Sequence, residues 1–249
     1  GLFGSGMTMN ITTYSYTNRG GRPENEDSIC LESRSGRTVL TLADGLGGHG
    51  GGEVASALAV NTVCQACLDC PSVDETALVQ SIQAANQKIL DGQTASGLEE
   101  MRTTLVALYL EGEHSLWAHV GDSRLYRLSQ GTITQLTRDH SVTYRKYLGG
   151  EITRMDVYHD DDRSSLLRVL GRPSCSPETG SAPLQPGEAF LLCSDGFWEY
   201  VYQEEILADW LKSETPEQWA QLMLLRHIRR APKGNDNFSL ITVFVEEHL

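Results

Sequence analysis

The chain has 249 residues, 40% of them hydrophobic and 21% charged, with a formal net charge of −13. That composition supports a packed core, and no Pro/Ser/Gly-rich linker divides the chain, so residues 9–249 read as one domain. The acidic balance argues against a nucleic-acid partner, because counterion release needs basic surface; it suits a protein that binds cations, or one kept soluble by charge.

Residues 1–8 look like a tag remnant. Residues 10–17 are rich in β-branched and aromatic side chains and predict a strand, followed by a turn at 18–23 and strands at 28–32 and 38–43. Past a glycine loop, 53–68 reads as a helix with Ala55, Ala59 and Val63 on one stripe. A second helix opens at Val73-Asp74 and runs to about Leu90, with Leu78, Ile82, Ala85 and Ile89 on its apolar face. Runs at 103–111, 115–120, 123–128 and 132–136, broken by Gly112, Gly121-Asp122 and Gln130-Gly131, predict one antiparallel meander. The long irregular stretch 139–182, with a short helix near 142–148, has the length and mixed pattern of a functional flap. A strand at 188–193 ends in Ser194-Asp195-Gly196, helices follow at 203–211 and 215–229, and a last strand covers 238–246. Strands and helices in separate blocks make the class α+β, with sheets packed together and helices outside.

No apolar run reaches the roughly 18–20 residues of a membrane span, and no secretory h-region opens the chain. The expectation is a cytoplasmic protein without a membrane partner, whose six cysteines stay reduced. Cys64-x-x-Cys67-x-x-Cys70 lacks the fourth ligand of a zinc or iron–sulfur site, and its spacing suits small core residues on a helix.

The chain's most informative stretch is Ala43-Asp44-Gly45-Leu46-Gly47-Gly48-His49-Gly50-Gly51-Gly52. Gly45-x-Gly47-x-x-Gly50 fits a dinucleotide-binding pattern letter by letter. Two physical objections weaken it. Asp44 would set a negative charge beside a pyrophosphate, and the next parallel strand with its acidic residue is replaced by a second helix. A cation held by Asp44 is the alternative.

Asp27, Asp44, Asp122, Asp195 and Asp236 all lie at predicted strand edges. One such residue is ordinarily a turn former. Five at strand ends that meet would repel unless cations joined them. Oxygen donors without a Cys/His set favour Mg²⁺ or Mn²⁺, and two such ions can deprotonate a bridging water and clamp a phosphoryl oxygen. Arg22 adds a fork-shaped phosphate donor one loop from Asp27. The residues alone reach metal-dependent phosphoester hydrolysis.

In order, Gly20-Gly21-Arg22-Pro23-Glu24-Asn25-Glu26-Asp27-Ser28, Ala43 to Glu53, Gly121-Asp122-Ser123-Arg124, Leu136-Thr137-Arg138-Asp139-His140-Ser141, Cys193-Ser194-Asp195-Gly196 and Asp236-Asn237 resemble the successive motifs of the bacterial type 2C, metal-dependent serine/threonine protein phosphatases. The resemblance covers residues 12–246. It implies a four-layer α/β/β/α sandwich of two antiparallel sheets flanked by helices, with two Mn²⁺ or Mg²⁺ ions at one edge. It further implies that Asp44 bridges both ions and the Gly45 carbonyl binds one, that Asp195 and Asp236 hold the other, and that Glu26 and Asp27 act mostly through water. Asp122 corresponds to the ligand of a third, weaker metal in bacterial members, and Arg22 to the residue that grips phosphate. Eukaryotic members place a histidine straight after Asp-Gly as proposed general acid; here that residue is Leu46. His49 is the candidate in its place, against a metal-bound water or an exposed histidine without a chemical role. The expected activity is hydrolysis of phosphoserine and phosphothreonine in proteins by a monomer that opposes a serine/threonine kinase. The alternatives are a phosphoprotein-binding pseudophosphatase and a small-molecule phosphoesterase of the same fold.

Overall fold

The computed structural model describes residues 8–47 and 51–248. In chain order these form β1 (Met9–Asn18), β2 (Asp27–Arg34), β3 (Arg37–Leu46), α1 (Gly51–Asp69), α2 (Glu75–Gly92), β4 (Arg102–Thr103), β5 (Leu105–Glu111), β6 (His114–Val120), β7 (Arg124–Ser129), β8 (Thr132–Gln135), α3 (Val142–Leu148), a 3₁₀ turn at Met155–Tyr158, β9 (Glu178–Pro183), β10 (Ala189–Cys193), α4 (Asp195–Trp198), α5 (Gln203–Leu211), α6 (Pro216–Arg230) and β11 (Phe238–Glu247). One sheet has the order β1-β11-β10-β7-β8 and the other β2-β3-β5-β6-β9, with β4 beside β3. All pairings are antiparallel.

The layering follows from strands that are apolar on both faces. On β3, Val39 and Ala43 face the helix pair α1–α2, while Leu40 and Leu42 enter the layer between the sheets. On β10, Ala189, Leu191 and Cys193 pack toward α4–α6, and Phe190 and Leu192 point to the opposite sheet. Side chains alternate with period two, so such a strand must be covered twice, and that produces the α/β/β/α stack. The helices supply the covers. The predicted stripes Ala55, Ala59 and Val63 on α1 and Leu78, Ile82, Ala85 and Ile89 on α2 are all fully buried. Asp74 caps α2 by accepting from the Ala77 N–H at 2.7 Å.

Three elements differ from the sequence reading. The expected meander is divided: β5–β6 belongs to one sheet and β7–β8 to the other. The chain changes sheets at Gly121-Asp122-Ser123, where Gly121 has φ +106 and a Cβ would sit 2.7 Å from Thr104. Only glycine fits that corner. The strand predicted over 103–111 breaks at Thr104, whose N–H turns to the Asp44 carbonyl at 3.0 Å. The flap region 139–182 contains the start of β9, whose sequence Glu-Thr-Gly-Ser-Ala-Pro has no strand signature and which is ordered by pairing with β6.

Candidate metal centre and active site

The two sheets meet at one edge, and the acidic residues gather there. Asp27 opens β2 and lies directly opposite Asp44 near the end of β3. Asp195 follows β10, and Asp236 precedes β11, its antiparallel neighbour. The sheets are tied at this edge by Ser239 on β11, whose Oγ donates to Asp27 Oδ2 at 2.6 Å. Asp44, Asp195 and Asp236 each bring a carboxylate oxygen to within 4.8 Å of the others. The second oxygen of Asp27, Oδ1, is buried and has no hydrogen-bond partner among the described residues. A cation would satisfy a buried acceptor without a donor beside three converging carboxylates, and an all-oxygen donor set fits Mg²⁺ or Mn²⁺.

The backbone around these groups is held from several sides. The Asp44 N–H donates to Thr104 Oγ1 at 3.0 Å, and its carbonyl accepts from Thr104 N–H at 3.0 Å. Gly45 N–H donates to the Glu26 carbonyl at 3.1 Å. Gly45 lies against Gly52 at the start of α1: a Cβ on Gly45 would stand 2.0 Å from the Gly52 carbonyl oxygen, and one on Gly52 1.9 Å from Glu26 Oε2. Here the glycines admit backbone and carboxylate, and no phosphate cradle is needed to explain them. Asn237 accepts from Glu26 N–H at 2.9 Å and donates to the carbonyls of Arg19 and Glu24 at 2.7 and 2.8 Å. Arg22 is thereby carried to the rim, half-exposed, with Nη2 4.0 Å from Asp236 Oδ1. Arg22, Glu26, Asp44, Gly45 and Asp236 line one cleft of about 570 Å³.

Burial, reinforced by Asp195, pushes Asp27 up to about 7 and Asp236 up to about 6. Asp44 is held well above the usual carboxylate range by burial and by Asp27 and Asp195. Burial and the charge of Glu24 raise Glu26. Close-set buried carboxylates of this kind disfavour their charged forms unless a cation offsets the repulsion.

Asp122 stands apart from the group of three. It is buried, and burial with the charges of Asp195 and Asp139 holds it well above its ordinary range. Its carbonyl accepts from Trp198 Nε1–H at 2.8 Å. The Arg124 guanidinium stacks on that Trp198 ring, 3.6 Å from its centroid, and forks onto Asp139 at 2.7–3.2 Å. Glu199, which the sequence reading missed, is pushed up to about 8 by burial and Asp195. Its signal was its place four residues after Asp195, one turn along a helix. Asn237 stood in a recognised motif, yet its role in binding three backbone groups shows only in the fold. His49 lies outside the described residues.

A second cluster, His119, His140 and Glu178, also brings three donor atoms within 4.8 Å. Its hydrogen bonds argue against a metal. Gly121 N–H donates to His140 Nδ1 at 3.0 Å, so Nε2 carries the proton and lies 3.1 Å from Glu178 Oε1. An imidazole ligating through Nε2 needs its proton on Nδ1. His119 donates from Nε2 to the Arg138 carbonyl at 2.7 Å and stacks on His140. Burial lowers His119 and pushes His140 down to about 4, so the pair is neutral and braces the corner beside Asp122.

Comparison with known proteins agrees with this geometry. The family model "Protein phosphatase 2C" matches residues 18–223. The serine/threonine phosphatase stp of Listeria welshimeri is 36% identical over 231 residues, covering 89% of this chain and 90% of that one. The crystal structure of the Mycobacterium tuberculosis serine/threonine phosphatase PstP/Ppp superposes with a TM-score of 0.86 at 32% identity, covering 96% of this chain and 99% of that one. The catalytic domain of PstP in complex with two manganese ions gives 0.85 at 30% identity, covering 96% and 100%. No helix among the described residues is long and apolar enough to cross a membrane. With two antiparallel sheets between helix layers and the carboxylates at their shared edge, the chain belongs to the protein phosphatase 2C family and is a protein phosphatase.

Proposed function

We propose that this phosphatase hydrolyses phosphoserine and phosphothreonine in cytoplasmic proteins, serine/threonine kinases among them, using two Mn²⁺ or Mg²⁺ ions and a third, weaker one at Asp122. The observation that carries the metal reading is the unpartnered, buried Asp27 Oδ1 beside the convergent Asp44, Asp195 and Asp236. Bound cations would supply a water acidic enough to attack phosphorus at neutral pH and a clamp on the phosphoryl oxygens.

The chain's own residues have separate tasks in this reading. Asp44 with the Gly45 carbonyl, and Asp195 and Asp236 from the β10 and β11 side, would hold the cations, whose charge would activate a water and stabilise the phosphoryl oxygens. Asp27 and Glu26 would orient water from the β2 side. Arg22 grips the substrate phosphate at the rim, where its half-exposed guanidinium can turn outward. The leaving serine oxygen needs a proton, for which His49 is the candidate from the glycine loop.

The test is Mn²⁺-dependent release of phosphate from a phosphothreonine peptide and from p-nitrophenyl phosphate. Asp44→Asn and Asp236→Asn should each lower turnover by at least about 100-fold, the scale of removing a group that stabilises transition-state charge. Unchanged turnover in both variants, or none in the native protein, would sink the enzymatic reading of the site. Peptide turnover no better than that of the small ester would favour a small-molecule phosphoesterase.

A further inference from the structure

Six cysteines are unpaired thiols, and the phosphatase chemistry uses none of them. Two lie together between β2 and α1. Cys30 pairs across the β2–β3 ladder with Thr41, and cross-strand partners share a face. Thr41 Oγ1 lies 3.4 Å from Cys64 Sγ, so that face is the one α1 covers. Cys64 is buried, its Sγ 3.4 Å from the Cys30 carbonyl. The Cys30 side chain is half-buried and packs against the same cluster under α1 that contains Cys64.

The thiols differ in reactivity. Burial pushes Cys67 and Cys175 up to about 11 and raises Cys193. Cys64 is raised by the neighbouring Cys30 thiol and by burial, and the same proximity lowers Cys30. Thiolate character combined with access marks the sulfur that meets an oxidant first. A second thiol 3.4 Å from the Cys30 carbonyl provides the resolving group.

We propose that Cys30 and Cys64 form a peroxide-oxidisable dithiol, a covalent modification site that draws α1 onto β2 and loosens the metal loop. The Cys30 thiolate attacks a hydroperoxide oxygen; an S–O bond forms, the O–O bond breaks, and the departing hydroxide (or alkoxide) takes up a proton. Cys30 is now a sulfenic acid. Cys64 sulfur attacks it, the S–S bond forms, the S–O bond breaks, and oxygen leaves as water with the Cys64 proton. Two thiols are oxidised and one peroxide is reduced; an external dithiol reverses the step.

The link to the metal loop is short. A disulfide is shorter than the thiol contact it replaces, so closure moves α1 against β2. Two turns before Cys64 on α1, Ser56 Oγ donates to the Glu26 carbonyl at 2.7 Å and contacts Ser28 Oγ at 2.7 Å. One turn further back, Gly52 rests on Gly45 and Glu26 with no space to spare. Three residues along β2 from Cys30 stands Asp27. Movement of α1 over β2 is therefore movement of Gly52 over the groups assigned to the cations.

The effect on metal rests on the proposed metal reading; the cross-link does not. Purified protein is treated with hydrogen peroxide, mapped by mass spectrometry without reduction, and titrated with Mn²⁺ by calorimetry. The expected result is a peptide joining Cys30 to Cys64 and a fall from six free thiols to four. Mn²⁺ affinity should weaken by about 5-fold, an ordinary coupling between sites, and dithiothreitol should restore it. Cys30→Ser should keep the native affinity and lose the response. Oxidation at Cys67 or Cys70 with Cys30 still reduced would overturn the proposal, as would a cross-linked protein with unchanged affinity. Absence of Mn²⁺ binding in the reduced protein would instead overturn the metal reading, while the mapping still decides the cross-link.

Discussion

Asp27, Asp44 and Asp236 carry raised pKa values for a common reason, burial in one another's company. A carboxylate that protonates more readily folded than unfolded adds stability below its unfolded value near 4 and loses it as pH rises through its folded value. For Asp27 and Asp236 that window ends at about 7 and 6. The melting temperature of the metal-free protein should therefore be drawn down by these groups between pH 5 and pH 8. Cations replace the protons, so Mn²⁺ should raise the melting temperature more at pH 8 than at pH 5. The half-saturating Mn²⁺ concentration should rise as pH falls from 8 to 6. Thermal melts in EDTA and in Mn²⁺ check both signs. Arg22 acts at the same scale but on substrate: Arg22→Ala should lower kcat/KM for a phosphopeptide by about 10- to 100-fold, the worth of one charge-assisted fork, with Mn²⁺ affinity kept. Steady-state kinetics and calorimetry together read this split.

Elements position these residues through a few close contacts. Gly45→Ala would set a methyl group 2.0 Å from the Gly52 carbonyl oxygen, forcing β3 and α1 apart. It should cost about 1–3 kcal/mol of stability, the range for overpacking, and abolish tight Mn²⁺ binding. Denaturant melts and metal titration measure the two effects. On the opposite side, α5 and α6 are joined by charge. Arg226 forks onto Asp209 at 2.7 and 2.9 Å and reaches Glu205 at 2.9 Å, while Arg230 reaches Glu205 as well. Asp209 is almost fully buried, so Arg226→Ala leaves its carboxylate with only the exposed Lys212 ammonium 4.0 Å away and should destabilise by about 3 kcal/mol. Glu205 is held down at about 2 by its bond to Arg230, so this clamp contributes above about pH 4.5 and weakens as acid approaches pH 2.

At the scale of the whole molecule, the site exists because two sheets end at the same edge. The first sheet contributes Asp195 and Asp236 and the second Asp27 and Asp44, and Ser239 donating to Asp27 spans the seam. Ser239→Ala removes that donor and leaves both Asp27 oxygens without a partner among the described residues. The expected outcome is weaker Mn²⁺ binding by about 10-fold, the scale of losing a group that orients a ligand, with the fold kept; calorimetry and circular dichroism check it.

The sequence by itself determined most elements, the helix stripes, the α+β class and five aspartates at strand ends, because period, turn chemistry and capping are local properties. Asp74 capping α2 and Gly45 beside Asp44 were legible for that reason. Tertiary structure alone decided which sheet each hairpin joins, since β5–β6 and β7–β8 have the same local pattern wherever they lie, and a corner at Gly121 separates them. It also ordered β9 by pairing an unremarkable segment with β6, and it brought Asn237 to Glu26 and Ser239 to Asp27 from the far end of the chain. Convergence of charge is a long-range property: one buried aspartate is a turn residue by its neighbours in sequence, and a candidate metal ligand only by its neighbours in space.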